Sequence, residues 1–190
     1  MGFVIKDEHM KMDNRKGLIQ VYTGNGKGKT TSSCGLAIRA IGQGFKVCYI
    51  HFHKDPEKWG YGEIKVLKNL GVDIYGFAKK HPHFDKGVKY EEIRKDCLEA
   101  LEFIKKLYQD QANRYDMLIL DEIIISLRDG FLKEKEILKI LEKKPPNLEL
   151  VLTGRGFPES LIEKVDLISE TKNIKYPFDK GIERRKGIEF

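Results

Sequence analysis

Cysteine is scarce in this chain, and the three cysteines exclude a fold built on disulfide bonds. Cys34, Cys48 and Cys97 lie far apart, none belongs to a CxxC pair, and each has apolar neighbours. Disulfides persist mainly in oxidising compartments, and closely spaced cysteine pairs are typical of zinc sites. We therefore interpret all three as reduced packing residues and expect a cytoplasmic protein.

Long apolar runs, repeats and catalytic triads are also missing. No apolar run is long enough to span a membrane, and the N-terminus has no signal-peptide core. Basic residues are not interleaved with aromatic residues as in proteins that bind single-stranded nucleic acid. There is no Ser-His-Asp or Cys-His arrangement of the kind used in nucleophilic catalysis. The sequence thus gives no sign of a membrane segment, a nucleic-acid partner or a covalent nucleophile.

What is present is a chain of 190 residues with a formal net charge of +6. Hydrophobic residues make up 41% and charged residues 34%, which is the profile of a globular protein with its own core. A basic balance of this size suits a ligand that bears phosphate groups. Residues 1–16 are polar and without a clear period. We therefore expect an N-terminal arm at 1–16 and a single domain at 17–190 that ends in an extended tail.

Apolar runs of strand length alternate with segments of helical period along this domain. The predicted strands cover 18–22, 47–52, 72–75, 117–120, 148–152 and 167–169, and the predicted helices cover 29–41, 63–70, 90–108, 133–141 and 159–165. The strands are apolar throughout, as is typical of parallel strands covered on both faces. We predict an α/β fold with a mostly parallel sheet, helices on both faces, and a ligand site at the carboxyl ends of the strands.

The segment TGNGKGKTT joins the first predicted strand to the first predicted helix, which is the context of a phosphate-binding loop. Its glycines, Gly24, Gly26 and Gly28, allow backbone N–H groups to converge on an anion without clashes of Cβ atoms. We expect Lys29 to contact phosphate oxygens and the hydroxyl of Thr30 to reach a magnesium ion. The loop is one residue shorter than the pattern G-x-x-x-x-G-K-[ST]. A flexible turn with solvated lysines is the alternative interpretation.

Charged residues follow two other predicted strands at their carboxyl ends. Asp121 and Glu122 end the run MLILDE, and their carboxylate oxygens suit Mg²⁺ directly or through water. The alternative is an aspartate that caps a helix beside a solvated glutamate. Arg155 follows the strand that ends at Thr153. Its guanidinium suits two-pronged contacts with a phosphate or carboxylate, and a surface salt bridge is the alternative.

Two histidines, His51 and His53, stand at strand spacing in HFHKDP, so we expect them to face the same way. A metal pair is one interpretation, but no third ligand is evident. We therefore favour packing or a substrate contact. His81 and His83, on either side of Pro82, allow the same interpretations.

Five segments in a fixed order carry a resemblance to a known family. They are KGLIQVYTGNGKGKTT, GLAIRAIGQGFKV, LILDEI, LTGRGFPESLIEKVDLISE and KGIERRKGIEF. The chain resembles the P-loop type of cob(I)alamin adenosyltransferases (ATP:corrinoid adenosyltransferases) over nearly its whole length from Lys16. The short phosphate loop is itself a feature of that family.

The resemblance implies a RecA-like P-loop NTPase fold, usually dimeric. It implies transfer of the 5′-deoxyadenosyl group of ATP to the cobalt(I) of a reduced corrinoid, with release of triphosphate. Mg²⁺ is the implied cofactor, ATP and the corrinoid are the substrates, and a flavin-type protein is the implied electron donor. Cobalt(I) is already a strong nucleophile. The site must therefore align the reactants and stabilise charge, and it needs no general base.

The resemblance also assigns residues by position. It implies catalytic roles for Lys29 and Arg155 and metal-site roles for Thr30 and Glu122, to which the acidic pair adds Asp121. The implied nucleotide-binding residues are Gly24, Asn25, Gly26, Lys27, Gly28, Lys29, Thr30, Thr31 and Arg39.

The predicted irregular loop 77–87 lies where the family places the corrin. The region reads GFAKKHPHFDKG, without a tryptophan, where the family commonly has a Phe-Thr-Trp stretch. We assign Phe84 and His83 as corrinoid contacts, and a mobile surface loop is the alternative. Two other functions stay open. One is a different P-loop phosphotransferase or NTPase that releases ADP or diphosphate, and the other is a non-catalytic nucleotide- or corrinoid-binding protein.

Overall fold

The fold is built on one six-stranded sheet in the order β3-β2-β4-β5-β1-β6, and every neighbouring pair of strands is parallel. The computed structural model describes residues 16–80, 87, 89–110, 114–183 and 185–188. The strands are β1 (Ile19–Thr23), β2 (Val47–Phe52), β3 (Asp73–Phe77), β4 (Met117–Asp121), β5 (Glu149–Thr153) and β6 (Leu167–Glu170). The predicted α/β fold of the P-loop NTPase type is confirmed, and the sheet is entirely rather than mostly parallel.

The central strands are buried along their whole length. All residues of β2, β4 and β5 are buried, which explains why their sequences read as continuous apolar runs instead of alternating ones. By contrast, all four residues of β6 at the sheet edge are exposed. The polar carboxyl ends of the buried strands therefore lie inside the protein, where a site can exclude water.

Six α-helices connect the strands in the described residues. They are α1 (Lys29–Ile41), α2 (Pro56–Trp59), α3 (Gly62–Asn69), α4 (Tyr90–Gln109), α5 (Ile123–Arg128) and α6 (Glu134–Glu142). Short 3₁₀ helices cover Glu159–Lys164 and Pro177–Lys180. No helix in the described part of the chain is both long and apolar enough to cross a membrane.

The helices cover both faces of the sheet. On one face, α4, α5 and α6 pack over the larger core, to which α4 contributes a stripe of buried residues that includes Ile93, Cys97 and Ile104. On the other face, α1 and α3 pack against Tyr49 and Ile119. The helices change face once, after β3, where the path of the chain along the sheet reverses direction. Parallel connections of constant, right-handed sense produce this arrangement.

Most predicted elements agree with the structure to within two residues at each end, and α1 agrees at both ends. Two helices were not predicted. The first is α2, which begins after the N-cap Asp55, whose carboxylate accepts hydrogen bonds from two backbone N–H groups. The second is α5, whose apolar sequence resembles a buried strand. The segment predicted as a helix at 159–165 is a 3₁₀ helix. The tail, expected to lack helical structure, also contains a short 3₁₀ helix.

The cysteine interpretation is confirmed, because Cys34, Cys48 and Cys97 are all free thiols and the last two are buried. Burial raises the pKa of the Cys97 thiol to about 11. Residues 1–15 of the predicted N-terminal arm at 1–16 lie outside the described residues.

Candidate active site

The loop between β1 and α1 is held by the segment that follows β6. The backbone N–H of Gly26 donates to the carbonyl of Thr171 over 2.8 Å, and the hydroxyl of Thr171 donates back to the carbonyl of Gly26 over 3.1 Å. A Cβ added at Gly24 would lie 2.4 Å from the carbonyl oxygen of Thr171, and one added at Gly26 would lie 2.8 Å from that of Lys172. These two glycines therefore admit a neighbouring backbone. The reason expected for the glycines, that an anion can approach the backbone, applies best to Gly28. Its φ is 120°, and a Cβ added there would have its nearest neighbour, Cγ2 of Thr171, at 4.0 Å.

Lys29 is folded back over this loop. Its Nζ donates to the carbonyls of Gly24 and Gly26 over 2.9 and 2.8 Å, and the residue is 6% exposed. Burial lowers the pKa of Lys29, although the nearby carboxylate of Glu122 opposes the shift. Lys29 is the first residue of α1, so its positive charge is carried at the end of the helix where the dipole is also positive. This is what the predicted anion site requires, and anion binding by the loop stays a prediction.

Asp121, at the end of β4, ties the first turn of α1 to the end of β5. Its Oδ1 accepts hydrogen bonds from the hydroxyls of Thr153, over 2.7 Å, and Thr30, over 3.1 Å. The hydroxyl of Thr153 in turn accepts a hydrogen bond from the backbone N–H of Glu122 over 2.9 Å. Asp121 is fully buried, and the helix-cap alternative does not apply because Glu122, not Asp121, precedes α5.

Lys54 is the member of this network that sequence reasoning missed. It follows β2, is 7% exposed, and its Nζ donates to Oδ2 of Asp121 and to Oγ1 of Thr30, the latter over 3.1 Å. Burial alone would raise the pKa of Asp121, but the ammonium of Lys54 and its hydrogen bond lower it. Conversely, burial opposes the charge of Lys54, and the carboxylates of Asp121 and Glu122 raise its pKa. The sequence feature that could have identified Lys54 is its position at the carboxyl end of a predicted strand. The interpretation of HFHK considered only its two histidines.

Glu122 carries a buried oxygen that a cation would satisfy. Among the described residues, its Oε2 has no hydrogen-bond partner. Burial raises the pKa of the Glu122 carboxyl, although the charge of Lys54 opposes the shift. The oxygens of Thr30, Asp121 and Glu122 are the hard ligands that Mg²⁺ prefers. These three residues therefore fit a magnesium ion, with the remaining ligands left to phosphate oxygens or water.

Three non-glycine residues with positive φ lie at the carboxyl ends of adjacent strands. They are His53 after β2, Ala78 after β3 and Glu122 after β4, with φ values of 56°, 48° and 65°. A non-glycine residue in this region costs about 1–3 kcal/mol and persists only where the surrounding structure holds it. Strain at three neighbouring strand ends marks this edge of the sheet as a functional edge.

The two histidines of HFHK do not face the same way. His51 lies in β2, where an ideal Cβ on Gly76 of β3 would come within 2.4 Å of its Cε1. His53 lies beyond the strand end, and its Nε2 is 2.7 Å from Oγ of Ser126 while its ring lies 5.9 Å from that of Phe131. The left-handed backbone of His53 breaks the alternation that the prediction assumed. Within the described ranges, no group of three or more His, Cys, Asp or Glu residues could hold a metal, so packing is the better interpretation.

The two predicted arginines lie in different places. Arg155 follows β5, and its charge lowers the pKa values of both Lys29 and Glu122, which places it close to the loop. In the described part of the chain it forms no salt bridge. Arg39 is exposed in the last turn of α1, about ten residues and therefore about 15 Å along the helix from Lys29. The nucleotide contact predicted for Arg39 stays a prediction.

The other predicted contacts are exposed or lie outside the described residues. Asn25, Lys27 and Thr31 are exposed around the loop, and Nζ of Lys27 donates to the carbonyl of Ile188 over 2.7 Å. The predicted corrinoid contacts, His83 and Phe84, lie outside the described residues.

Comparisons with known proteins show the family of this chain. A protein-family model described as "ATP:corrinoid adenosyltransferase BtuR/CobO/CobP" matches residues 15–190. The corrinoid adenosyltransferase of Sinorhizobium sp. is 36% identical over 181 residues, covering 93% of this chain and 82% of the relative. That of Escherichia coli (strain K12) is 31% identical over 182 residues, covering 93% and 87%. That of Pseudomonas aeruginosa is 28% identical over 190 residues, covering 98% and 90%. The resemblance found in the sequence is confirmed, and the chain belongs to the ATP:corrinoid adenosyltransferase family.

Proposed function

We propose that this chain transfers the 5′-deoxyadenosyl group of ATP to the cobalt(I) of a reduced corrinoid and releases triphosphate. In this reaction a Co–C bond forms at C5′ while the bond between C5′ and the triphosphate oxygen breaks. The electron pair for the new bond comes from cobalt(I), and the leaving electrons stay on triphosphate. The protein must therefore align two reactants and stabilise the charge of the leaving group.

The observation that carries this function is a phosphate loop next to a carboxylate that is stabilised in its charged form. Both carboxylate oxygens of Asp121 already accept hydrogen bonds, from Thr30, Thr153 and Lys54. The pKa of Asp121 is lowered despite its burial, because Lys54 stabilises the carboxylate. The lowered pKa makes Asp121 a poor proton acceptor and favours its role as a negative charge in the site. That suits a reaction whose nucleophile needs no base.

The loop and Lys29 are proposed to hold the triphosphate. The ammonium of Lys29 donates hydrogen bonds to the carbonyls of Gly24 and Gly26. Phosphate oxygens would accept stronger hydrogen bonds from it, because they are charged. The N–H groups at the start of α1 are proposed to add further donors to the phosphate oxygens. Arg155 adds positive charge from the end of β5 and is proposed to contact the leaving group.

Thr30, Asp121 and Glu122 are proposed to hold Mg²⁺. The ion would supply positive charge to the triphosphate, and the three side chains would orient it through their oxygens. Glu122 fits this role best, since its Oε2 is buried and has no hydrogen-bond partner among the described residues.

One observation favours a second candidate, ATP hydrolysis or phosphoryl transfer. A buried carboxyl with a raised pKa next to a phosphate loop, as at Glu122, is also what a general base for an attacking water needs. The two functions differ in their products. Adenosyl transfer releases triphosphate, whereas hydrolysis or phosphoryl transfer releases ADP or diphosphate.

The remaining assignments follow from family resemblance. They are a homodimer, a flavin-type protein as electron donor, and a cytoplasmic location. The three free thiols support a reducing compartment.

The deciding experiment is incubation of the protein with ATP, Mg²⁺ and a chemically reduced corrinoid. The absorption spectrum should change to that of the adenosylated product while triphosphate accumulates in equal amount. Release of ADP without a spectral change would instead support the hydrolytic candidate. Tight ATP binding without any product would indicate a nucleotide carrier.

A further inference from the structure

Lys54 is a cation placed between two of the oxygens assigned to the metal. Its Nζ donates to Asp121 and, over 3.1 Å, to the hydroxyl of Thr30. The side chain is 8% exposed, and that of Asp121 is fully buried. The ammonium also lies 5.4 Å from the ring centre of Tyr61. Lys54 is therefore held at this position on several sides.

An ammonium and a divalent metal cannot use these oxygens in the same way at the same time. Magnesium binds an oxygen at about 2.0–2.1 Å, and an ammonium hydrogen-bonded to that oxygen would lie only a few ångströms from the metal. Two cations at that separation repel strongly where burial weakens the screening by water. One of them must move before the other binds.

We propose that Lys54 is a resident cation that occupies the metal position in the nucleotide-free protein and gives way when the metal arrives with its nucleotide. The inference rests on the metal assignment made under the proposed function. Because Lys54 neutralises the charge of Asp121, a metal ion without nucleotide binds the site only weakly. A bound triphosphate adds negative charge, so that both the metal ion and the ammonium of Lys54 have anionic groups to pair with. Metal and nucleotide therefore bind together.

The displaced ammonium keeps a carboxylate nearby. Glu122 is close enough for the charge of Lys54 to lower its pKa, and its Oε2 has no hydrogen-bond partner within the described residues. A short movement of the lysine away from Thr30 thus does not leave its charge unpaired. This makes the exchange of cations feasible in a buried site.

The test measures binding of Mn²⁺, used as a probe for Mg²⁺, by electron paramagnetic resonance without nucleotide. Wild-type protein is compared with Lys54→Met, with the double variant Lys54→Met/Asp121→Asn, and with Lys79→Met, which removes an exposed lysine after β3. We expect Lys54→Met to bind Mn²⁺ at least tenfold more tightly than wild type. Lys79→Met should match wild type, and the double variant should lose the gain.

An Mn²⁺ affinity of Lys54→Met equal to or weaker than that of wild type overturns the inference. If Lys54→Met does not fold without metal, because Asp121 is then a buried unpaired charge, refolding is the readout. Rescue by Mn²⁺, but not by NaCl of equal ionic strength, supports the inference, and failure of Mn²⁺ to rescue overturns it.

Adenosyl transfer by wild-type protein is assayed separately. If the wild-type protein catalyses adenosyl transfer but Lys54→Met binds Mn²⁺ no more tightly than wild type, only the role of Lys54 is refuted. If Lys54→Met binds Mn²⁺ more tightly but the wild-type protein catalyses no transfer, only the proposed function is refuted.

Discussion

Gly26 and Thr171 exchange two hydrogen bonds across the gap between the phosphate loop and the segment after β6. The N–H of Gly26 donates to the carbonyl of Thr171, and the hydroxyl of Thr171 donates to the carbonyl of Gly26 and also to that of Thr23. The loop is thus fixed from outside by a residue far away in the sequence. A loop fixed in this way loses less conformational entropy when it binds a triphosphate.

We predict that Thr171→Val weakens ATP binding while the protein stays folded. The substitution keeps the shape of the side chain but removes the hydroxyl that contacts the carbonyl of Thr23, at the end of β1, and that of Gly26, in the loop. Such a hydrogen bond is worth about 1 kcal/mol. The dissociation constant for ATP, measured by calorimetry, should therefore rise about fivefold. Thr171→Ser retains the hydroxyl and should bind ATP like wild type. Equal affinities for both variants and wild type would show that the loop does not depend on Thr171.

Lys29→Ala should reduce ATP affinity or turnover at least tenfold. The substitution removes a charge-assisted contact to phosphate worth about 1.5–3 kcal/mol. The matched control is Lys68→Ala, which removes an exposed lysine in the last turn of α3, outside the predicted site. The thermal unfolding midpoint of each variant shows whether the fold is intact. A folded Lys29→Ala with wild-type affinity and rate would rule out phosphate binding by this lysine.

Glu122→Gln should weaken the dependence of activity on Mg²⁺. Glutamine keeps the size of the side chain but removes the charge at the buried oxygen that has no hydrogen-bond partner among the described residues. We expect the Mg²⁺ concentration for half-maximal activity to rise at least tenfold at fixed ATP. Glu159→Gln, an exposed carboxylate beyond β5, is the control. Overlapping Mg²⁺ titrations of Glu122→Gln and wild type would exclude Glu122 from the metal site.

The sequence predicted the strands and the phosphate loop well because both leave local patterns. Buried parallel strands read as apolar runs, and a strand followed by GNGKGKT has few other interpretations. The acidic pair at 121–122 could be placed for the same reason, since the carboxyl ends of parallel strands meet at one edge of the sheet.

What the sequence did not reveal depends on contacts between distant segments. Nothing local marks Lys54 as the partner of Asp121, and nothing local says that Thr171 packs against Gly26. The orientation of His53 depends on a left-handed backbone that few non-glycine residues adopt. Helix α5 was missed because a short, fully apolar helix cannot be told from a buried strand by its period.

The ion pair between α4 and α6 makes a pH-dependent contribution to stability. The two terminal guanidinium nitrogens of Arg94, Nη1 and Nη2, donate to the carboxylate of Glu136 over 2.8 and 2.7 Å. The hydrogen bonds from Arg94 lower the pKa of Glu136 to about 2. Because the pKa is lower in the folded state, the stabilisation is present above the ordinary glutamate pKa and is lost as the pH falls towards 2.

We therefore predict that Glu136→Gln lowers the free energy of unfolding by about 1–2 kcal/mol at pH 7, a value that allows for screening by solvent at a partly exposed pair. The difference between wild type and variant should shrink as the pH falls from about 5 to about 2. Urea unfolding of both proteins across this range measures it. A difference that stays constant with pH would mean that the charge of Glu136 contributes nothing.

Phe84→Ala should impair use of the corrinoid and leave ATP affinity nearly unchanged. A cavity of about 680 Å³ is lined by residues that include Phe77, Tyr90 and Phe103, and the first two flank in the sequence the stretch that contains Phe84. A corrin offers a large apolar face, and an aromatic side chain suits packing on such a face. We expect the KM for the corrinoid to rise at least fivefold in Phe84→Ala, and to rise much less in Phe84→Leu, which keeps an apolar side chain. ATP binding, measured separately by calorimetry, should be the same in all three proteins. An unchanged corrinoid KM and rate in Phe84→Ala would remove this residue from the site and direct the search to Trp59 and the end of β2.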